Sequence, residues 1–226
     1  MKVPYLVATE VTPPILLRAW QSVVGRLRRD GRAPEQAGQK DAAWYDKAFA
    51  SVPEYRVHYT QSGYYFLWSV ISDRIVRSGV ERVLDLGCGP GQFASLLYDK
   101  GIRAYRGLDL SSTSVEMARK RCPGFEFLVQ DLGKPDALQG FAYDCIVTLE
   151  FLEHVHFDLD VIQRIRPGTK FFATVPNFPY VSHVRHFTDA AQVSLRYQSY
   201  FSEFTVDDFL ENELGKTFFL MEGVKA

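Results

Sequence analysis

Val83-Leu-Asp-Leu-Gly-Cys-Gly-Pro-Gly91 decides the reading of this chain. Arg82 to Leu86 is a short apolar run that reads as a buried strand. It leads directly into Gly87, Gly89 and Gly91, and Gly91 to Asp99 reads as a helix. Glycines between strand and helix let the backbone turn sharply and approach a ligand closely. The spacing is G-x-G-x-G, not the G-x-G-x-x-G of dinucleotide sites, where a helix N-terminus faces a pyrophosphate. Asp85 precedes the turn. A carboxylate there repels a diphosphate and suits a ligand carrying positive charge.

Outward from the turn, strands and helices alternate. Ala104 to Leu108 reads as a strand ending in Leu108-Asp109-Leu110-Ser111. Ser112 to Arg121 reads as a helix with Ser111 as its N-cap. Phe125 to Gln130 and Tyr143 to Leu149 read as strands, Leu159 to Ile165 as a helix and Lys170 to Val175 as a strand. Such alternation implies an α/β fold with a parallel sheet covered on both faces. Phe204 to Phe209 and Lys216 to Val224 break the rhythm as two late strands, an antiparallel edge on an otherwise parallel sheet. An acid ending the second strand about 20 residues after a glycine turn is placed to accept hydrogen bonds from ribose hydroxyls, which is the expectation for Asp109. Asp131, after the third strand, is placed to accept a bond from a base amino group. Three acids at three successive strand ends face the crevice of an open sheet.

On these residues, Val83 to Leu152 resembles the class I S-adenosylmethionine-dependent methyltransferases. The resemblance is good over about residues 80 to 175, loose in the tail and absent in the first forty residues. It implies a Rossmann-like, seven-stranded, mostly parallel sheet with an antiparallel last strand. It also implies that Asp85 and the backbone of Gly87 and Gly89 lie near the methionine part of the cofactor, with Gly91 completing the turn. Asp109 would hold the ribose, Leu110 would pack on adenine, and Asp131 with Leu132 would border the adenine edge.

The fourth strand runs into Thr148-Leu-Glu-Phe-Leu-Glu-His-Val-His156. In a helix, the Glu-x-x-Glu-His spacing puts Glu150, Glu153 and His154 on one face. In one reading Glu150 lines the cofactor pocket and His154 orients a loop or accepts a substrate proton. In the other, Glu150, Glu153 and His154 join a later histidine around a divalent metal. The small-RNA 3′-terminal ribose 2′-O-methyltransferases carry a similar pattern, and a metal there polarises hydroxyls. After the fifth strand comes His183-Val-Arg-His186. Four of the five histidines thus follow strands four and five, whose loops share one sheet edge. Imidazole titrates near neutrality and suits deprotonation of a hydroxyl or amine, so His183 and His186 lead as bases, with His154 behind them.

The remainder of the chain bounds the alternatives. Ile15 to Arg29 reads as an amphipathic helix, a domain cap or homodimer contact, and Asp30 to Gln39 as a linker. Residues 1–78 read as a helical extension and pocket lid, and 79–226 as the S-adenosylmethionine-binding catalytic domain. With 26 Lys and Arg against 27 Asp and Glu, the net charge of −1 argues against nucleic acid and for a small-molecule or glycan-like acceptor. Cys88, Cys122 and Cys145 form no disulfide framework, so a reducing cytoplasm is expected. No apolar run reaches the ~18 residues of a membrane span, and no signal peptide is visible. Aromatic residues reach 14%, and they cluster at Trp44 to Trp68 and Phe171 to Phe204, where they are expected to wall the pocket. The reading is methyl transfer to oxygen or nitrogen. A metal-assisted RNA ribose 2′-O-methyltransferase and a non-catalytic S-adenosylmethionine-binding partner subunit stand as alternatives.

Overall fold

The computed structural model describes residues 38–210 and 216–226, so the Ile15–Arg29 helix lies outside the described residues. Seven strands form one sheet: β1 (Arg82–Leu86), β2 (Ala104–Asp109), β3 (Glu126–Val129), β4 (Cys145–Leu149), β5 (Lys170–Pro176), β6 (Phe201–Leu210) and β7 (Thr217–Lys225). Their order is β3-β2-β1-β4-β5-β7-β6. The first five pair in parallel, while β7 runs antiparallel to both β5 and β6. The last strand is antiparallel, as expected, and it sits one place in from the edge. Composition explains this placement. Phe218 to Met221 is an unbroken buried apolar run and needs a neighbour on each side, whereas β6 carries Glu203, Asp207 and Asp208, charges that suit an unpaired edge.

Adjacent residues of the central strands go to opposite cores, as the period of two requires. Val83, Val147, Phe172 and Leu220 join one core. Leu84, Ile146, Phe171 and Phe219 join the other. The first core is covered by α2 (Tyr65–Arg77), α3 (Gln92–Asp99) and α4 (Ser112–Arg121), through Ile71, Ile75, Phe93, Leu97, Val115 and Ala118. The second is covered by α5 (Asp158–Gln163) and α6 (Ala190–Tyr197), through Val161, Ile162, Val193 and Tyr197. Short α6 had no clear periodicity in sequence; Asp189 caps it by accepting the Gln192 N–H at 2.9 Å. The three cysteines are buried and free. Among the described residues no helix is long and apolar enough to cross a membrane.

The residues before β1 pack onto this sheet. The first helix of the described chain, α1 (Ala42–Ser51), is capped by Asp41, which accepts the Trp44 N–H at 2.9 Å. Tyr59 donates its hydroxyl to Asp99 at 2.6 Å. Gln92 donates its side-chain amide to the carbonyls of Glu54 and Val57.

Gly91 shows how tightly the turn is built. Its φ is +76°, and a Cβ there would lie 2.9 Å from Ala118 Cβ and 3.0 Å from Ala118 Cα on α4. Gly91→Ala is therefore expected to destabilise the fold by about 2–4 kcal/mol, from left-handed strain plus overpacking. A urea melt measures this, and an unchanged midpoint would mean that the turn and α4 relax freely.

Candidate active site

From β1 the chain crosses over towards β2 and β3, and from β4 it crosses towards β5. The crevice of such a sheet opens between the loops that follow β1 and β4. Gly87, Gly89 and Gly91 all have left-handed backbones, with φ of 78°, 52° and 76°. The N–H groups of Gly87 and Cys88 donate to Leu108 O at 2.8 and 3.0 Å, which ties the turn to the end of β2. Asp109, the last residue of β2, accepts the Gly89 N–H at 2.9 Å and the Ser111 N–H at 2.8 Å. Burial pushes its carboxyl upward, opposed by those N–H groups. Asp85 is buried in β1 and accepts the Tyr105 hydroxyl at 2.6 Å. Burial pushes its pKa up to about 7, opposed by the Tyr105 bond and reinforced by the charge of Asp109.

Asp131 follows β3 and accepts the Gly133 N–H at 2.9 Å. Together with Leu110, Gln39, Lys40, Asp41, Ala42 and His156 it lines an open cleft of about 650 Å³. Leu132 lies beneath, in the second core. Gly91 backs onto α4, so its part is to shape the turn.

The segment after β4 does not take the helical form its spacing suggested. Glu150 has φ of +53°, the one left-handed non-glycine among the described residues, and its N–H donates to Thr174 Oγ1 at 3.0 Å. Backbone strain of this kind gathers at functional sites. Phe151 then packs against the glycine turn, so that a Cβ on Gly87 would lie 2.9 Å from Phe151 Cδ2. A single 3₁₀ turn, Leu152–His154, follows, and Glu150 does not share a helix face with Glu153 and His154.

That turn brings Glu153 and His154 to His183 of the loop after β5. Glu153 is fully buried, and neither carboxylate oxygen has a hydrogen-bond partner. His154 Nδ1 lies 3.1 Å from Ser182 O, and His183 Nδ1 lies 3.1 Å from Phe178 O. A carbonyl only accepts, so both Nδ1 atoms carry the proton and both Nε2 atoms present a lone pair. The imidazoles meet edge to face at 4.7 Å, and His154 Nε2 lies 3.6 Å from Glu153 Oε1. Single ligand atoms from Glu153, His154 and His183 all fall within 4.8 Å of one another. Burial, then the charge of Glu150, pushes the Glu153 carboxyl upward. Burial lowers both imidazoles to about 4, with His183 adding to the effect on His154. At neutral pH the imidazoles are uncharged, and burial favours the neutral acid form of Glu153.

The other two histidines that follow β4 and β5 lie outside this cluster. His186 is exposed, and His156 borders the cleft, its N–H donating to the Gln39 side chain at 3.0 Å. The N-terminal aromatics divide. Tyr59 and Trp68 pack into the first core, and Tyr64 stacks on Trp68 and against Phe218. Tyr45 sits edge-on to His154 at 6.2 Å and stacks on Phe49, whose ring would meet a Cβ on Gly89 at 3.9 Å. Asp46 fixes this end of α1 by accepting the Ser111 hydroxyl at 2.5 Å and the Thr113 N–H at 2.9 Å. An acid inside a helix carries no sequence signal for that role. Only the sequence position of Ser111, next to Asp109, hinted at a contact there.

Known proteins resemble this chain in sequence and fold. Over 90 residues the chain is 32% identical to the trans-aconitate 2-methyltransferase of Rhizobium leguminosarum bv. trifolii, covering 39% of this chain and 34% of that one. Over 141 residues it is 28% identical to the ubiquinone biosynthesis O-methyltransferase of Cronobacter sakazakii, covering 58% and 55%. The chain thus spans about a third to just over half the length of these curated relatives. The fold is also that of magnesium protoporphyrin IX methyltransferase from Synechocystis PCC 6803 with its bound cofactor, at a TM-score of 0.60 and 17% identity, over 84% of this chain and 100% of that one. The methyltransferase-domain family model matches residues 40–212, which include the glycine turn, the strand-end acids and the histidine cluster. The chain belongs to this family, the class I S-adenosylmethionine-dependent methyltransferases.

Proposed function

We propose that this chain methylates an acidic hydroxyl oxygen of a small-molecule acceptor, with His154 or His183 of the Glu153–His154–His183 cluster receiving the acceptor's proton. The residues of the cleft fit S-adenosylmethionine. Gly87 and Gly89 are half-buried at the end of β1, and Asp85, Asp109 and Asp131 offer carboxylates to an ammonium, ribose hydroxyls and an adenine amino group. Leu110 and Leu132 complete the adenine side, and Glu150 stands at the end of β4. When bound, the cofactor supplies a methyl already activated on a sulfonium.

The chain's own residues supply the proton path. The observation that carries the reading is the pair of imidazoles whose Nδ1–H groups are tied to backbone carbonyls, so that each Nε2 is a fixed acceptor. Either Nε2 takes the acceptor's proton. An imidazole near 4 is a weak base, so it matches a phenol or enol better than a sugar alcohol. The name of one curated relative, a ubiquinone biosynthesis O-methyltransferase, supports methyl transfer to oxygen. Tyr45 and Phe49 on α1 act as the lid.

The test is incubation with methyl-labelled cofactor and a panel holding catechol, trans-aconitate, an amine, a disaccharide and a short RNA. Label in catechol supports the reading, whereas label in trans-aconitate alone, a carboxylate with no proton to give, overturns it. Label in RNA alone or in the disaccharide overturns it, and cofactor binding with no transfer favours a non-catalytic partner subunit.

A second reading rests on one feature of the same cluster. The Nε2 atom of His154 and a carboxylate oxygen of Glu153 lie 3.6 Å apart, and neither Glu153 oxygen has a hydrogen-bond partner. A divalent cation between them would satisfy both. Glu153, His154 and His183 would hold it, their Nδ1–H bonds to carbonyls orienting the rings. The cation would polarise the acceptor oxygen. Loss of turnover in EDTA, restored by one divalent metal, selects this reading.

A further inference from the structure

The loop between β5 and α6 carries His183 but has no regular structure of its own, so something must hold it against the turn after β4. Backbone contacts are few: Val184 N–H donates to Glu153 O at 2.8 Å, and Phe187 N–H to Pro176 O at 3.3 Å. The main link is Arg185. One of its terminal nitrogens donates to Leu152 O and, at 2.6 Å, to Val155 O, the carbonyls on either side of Glu153 and His154. Its other terminal nitrogen meets Asp158 Oδ1 at 3.1 Å.

Asp158 is fully buried and has more donors than its charge needs. Arg196 binds both of its oxygens at 2.8 Å, and the Tyr197 hydroxyl adds a third bond at 2.8 Å. Those two partners, both on α6, already satisfy the carboxylate. Arg185 is therefore not needed to neutralise Asp158. The dependence runs the other way, with Asp158 aiming the guanidinium at the two carbonyls. We propose that Arg185, anchored by Asp158, is a positioning residue that sets the apposition of His154 and His183 beside Glu153. The proposal rests on the reading of that cluster as the proton-handling site. A lysine cannot replace the guanidinium, because a point charge does not span two carbonyls and a carboxylate at once.

The test compares Arg185→Lys and Arg185→Met with the wild type by NMR of the full chain with S-adenosylhomocysteine bound. The wild type is expected to show slowly exchanging Nδ1–H resonances for His154 and His183. Both variants are expected to lose the His154 resonance and to lower kcat about 100-fold, the cost of an ångström-scale misplacement, with cofactor affinity unchanged. Arg196→Lys, which touches Asp158 but not the loop, serves as the comparison for a merely structural role. It is expected to lower the melting temperature and keep both resonances. Retention of both resonances in Arg185→Lys and Arg185→Met overturns the proposal, as does their equal loss in Arg196→Lys. Full turnover in His154→Ala and His183→Ala instead overturns the catalytic reading, while the resonances still judge Arg185.

Discussion

Asp85→Asn is expected to weaken binding of S-adenosylmethionine by about 10- to 100-fold, the loss of a hydrogen bond to a charged partner. At about pH 8 it should also make the empty protein more stable, by up to roughly 4 kcal/mol. The sign follows from the direction of the shift. Burial raises the Asp85 carboxyl from 3.8 in the unfolded chain to about 7 in the folded one. The folded state therefore holds a proton that the unfolded state has released, and stability falls as pH rises from about 4 to about 7, then levels off. Asparagine keeps the shape and still accepts the Tyr105 hydroxyl without ever ionising. Its advantage should vanish below about pH 4, where both side chains are neutral in both states. Thermal melts across pH, paired with calorimetric titration of the cofactor, test both halves. A variant that is less stable at high pH, or that binds cofactor normally, contradicts this role. Strain stored at a binding site for function is a recurrent exchange in proteins, and Asp85 is its clearest instance in this chain.

The second large effect concerns the cluster. His154→Ala and His183→Ala are each expected to lower turnover at saturating cofactor by about 10²- to 10⁴-fold, the usual contribution of a positioned base. Cofactor affinity should hold, since neither ring touches the glycine turn. His186→Ala should cost far less, because that ring is exposed. In the wild type, turnover should be level from about pH 5 to 8 and fall as pH drops through about 4, where the imidazoles become protonated. A loss centred near the ordinary histidine value, or equal losses in all three variants, would place the base elsewhere.

The glycine turn and the strand-end acids were legible in sequence because they depend on local rules. Glycines at Gly87, Gly89 and Gly91 take backbone angles that few other residues tolerate, and acids at strand ends follow from strand periodicity. The Glu153–His154–His183 cluster depends on contacts distant in sequence. The Glu-x-x-Glu-His spacing is compatible with a helix, but the left-handed Glu150 and the packing of Phe151 on Gly87 break the helix before it starts. Which histidine would meet His154 was undecidable from His183-Val-Arg-His186 alone. The choice falls on His183 because Arg185 and Val184 lock the loop in one register. Asp46 gave no signal, since an acid in a helix is an ordinary surface residue until a partner is known; Arg185 stood out only as part of a His183-x-Arg-x-Phe187 segment, which named no partner for it. The place of β7 was readable in retrospect: four apolar residues in a row do not belong on an edge.

The most direct measurement is a crystal structure of the full chain with S-adenosylhomocysteine and catechol. The account predicts ribose hydroxyls on Asp109, the amino group at Asp85, and the acceptor hydroxyl hydrogen-bonded to Nε2 of His154 or His183 beside Glu153. A cofactor bound in that cleft with its sulfur turned away from the cluster, and an acceptor touching neither imidazole, would contradict it.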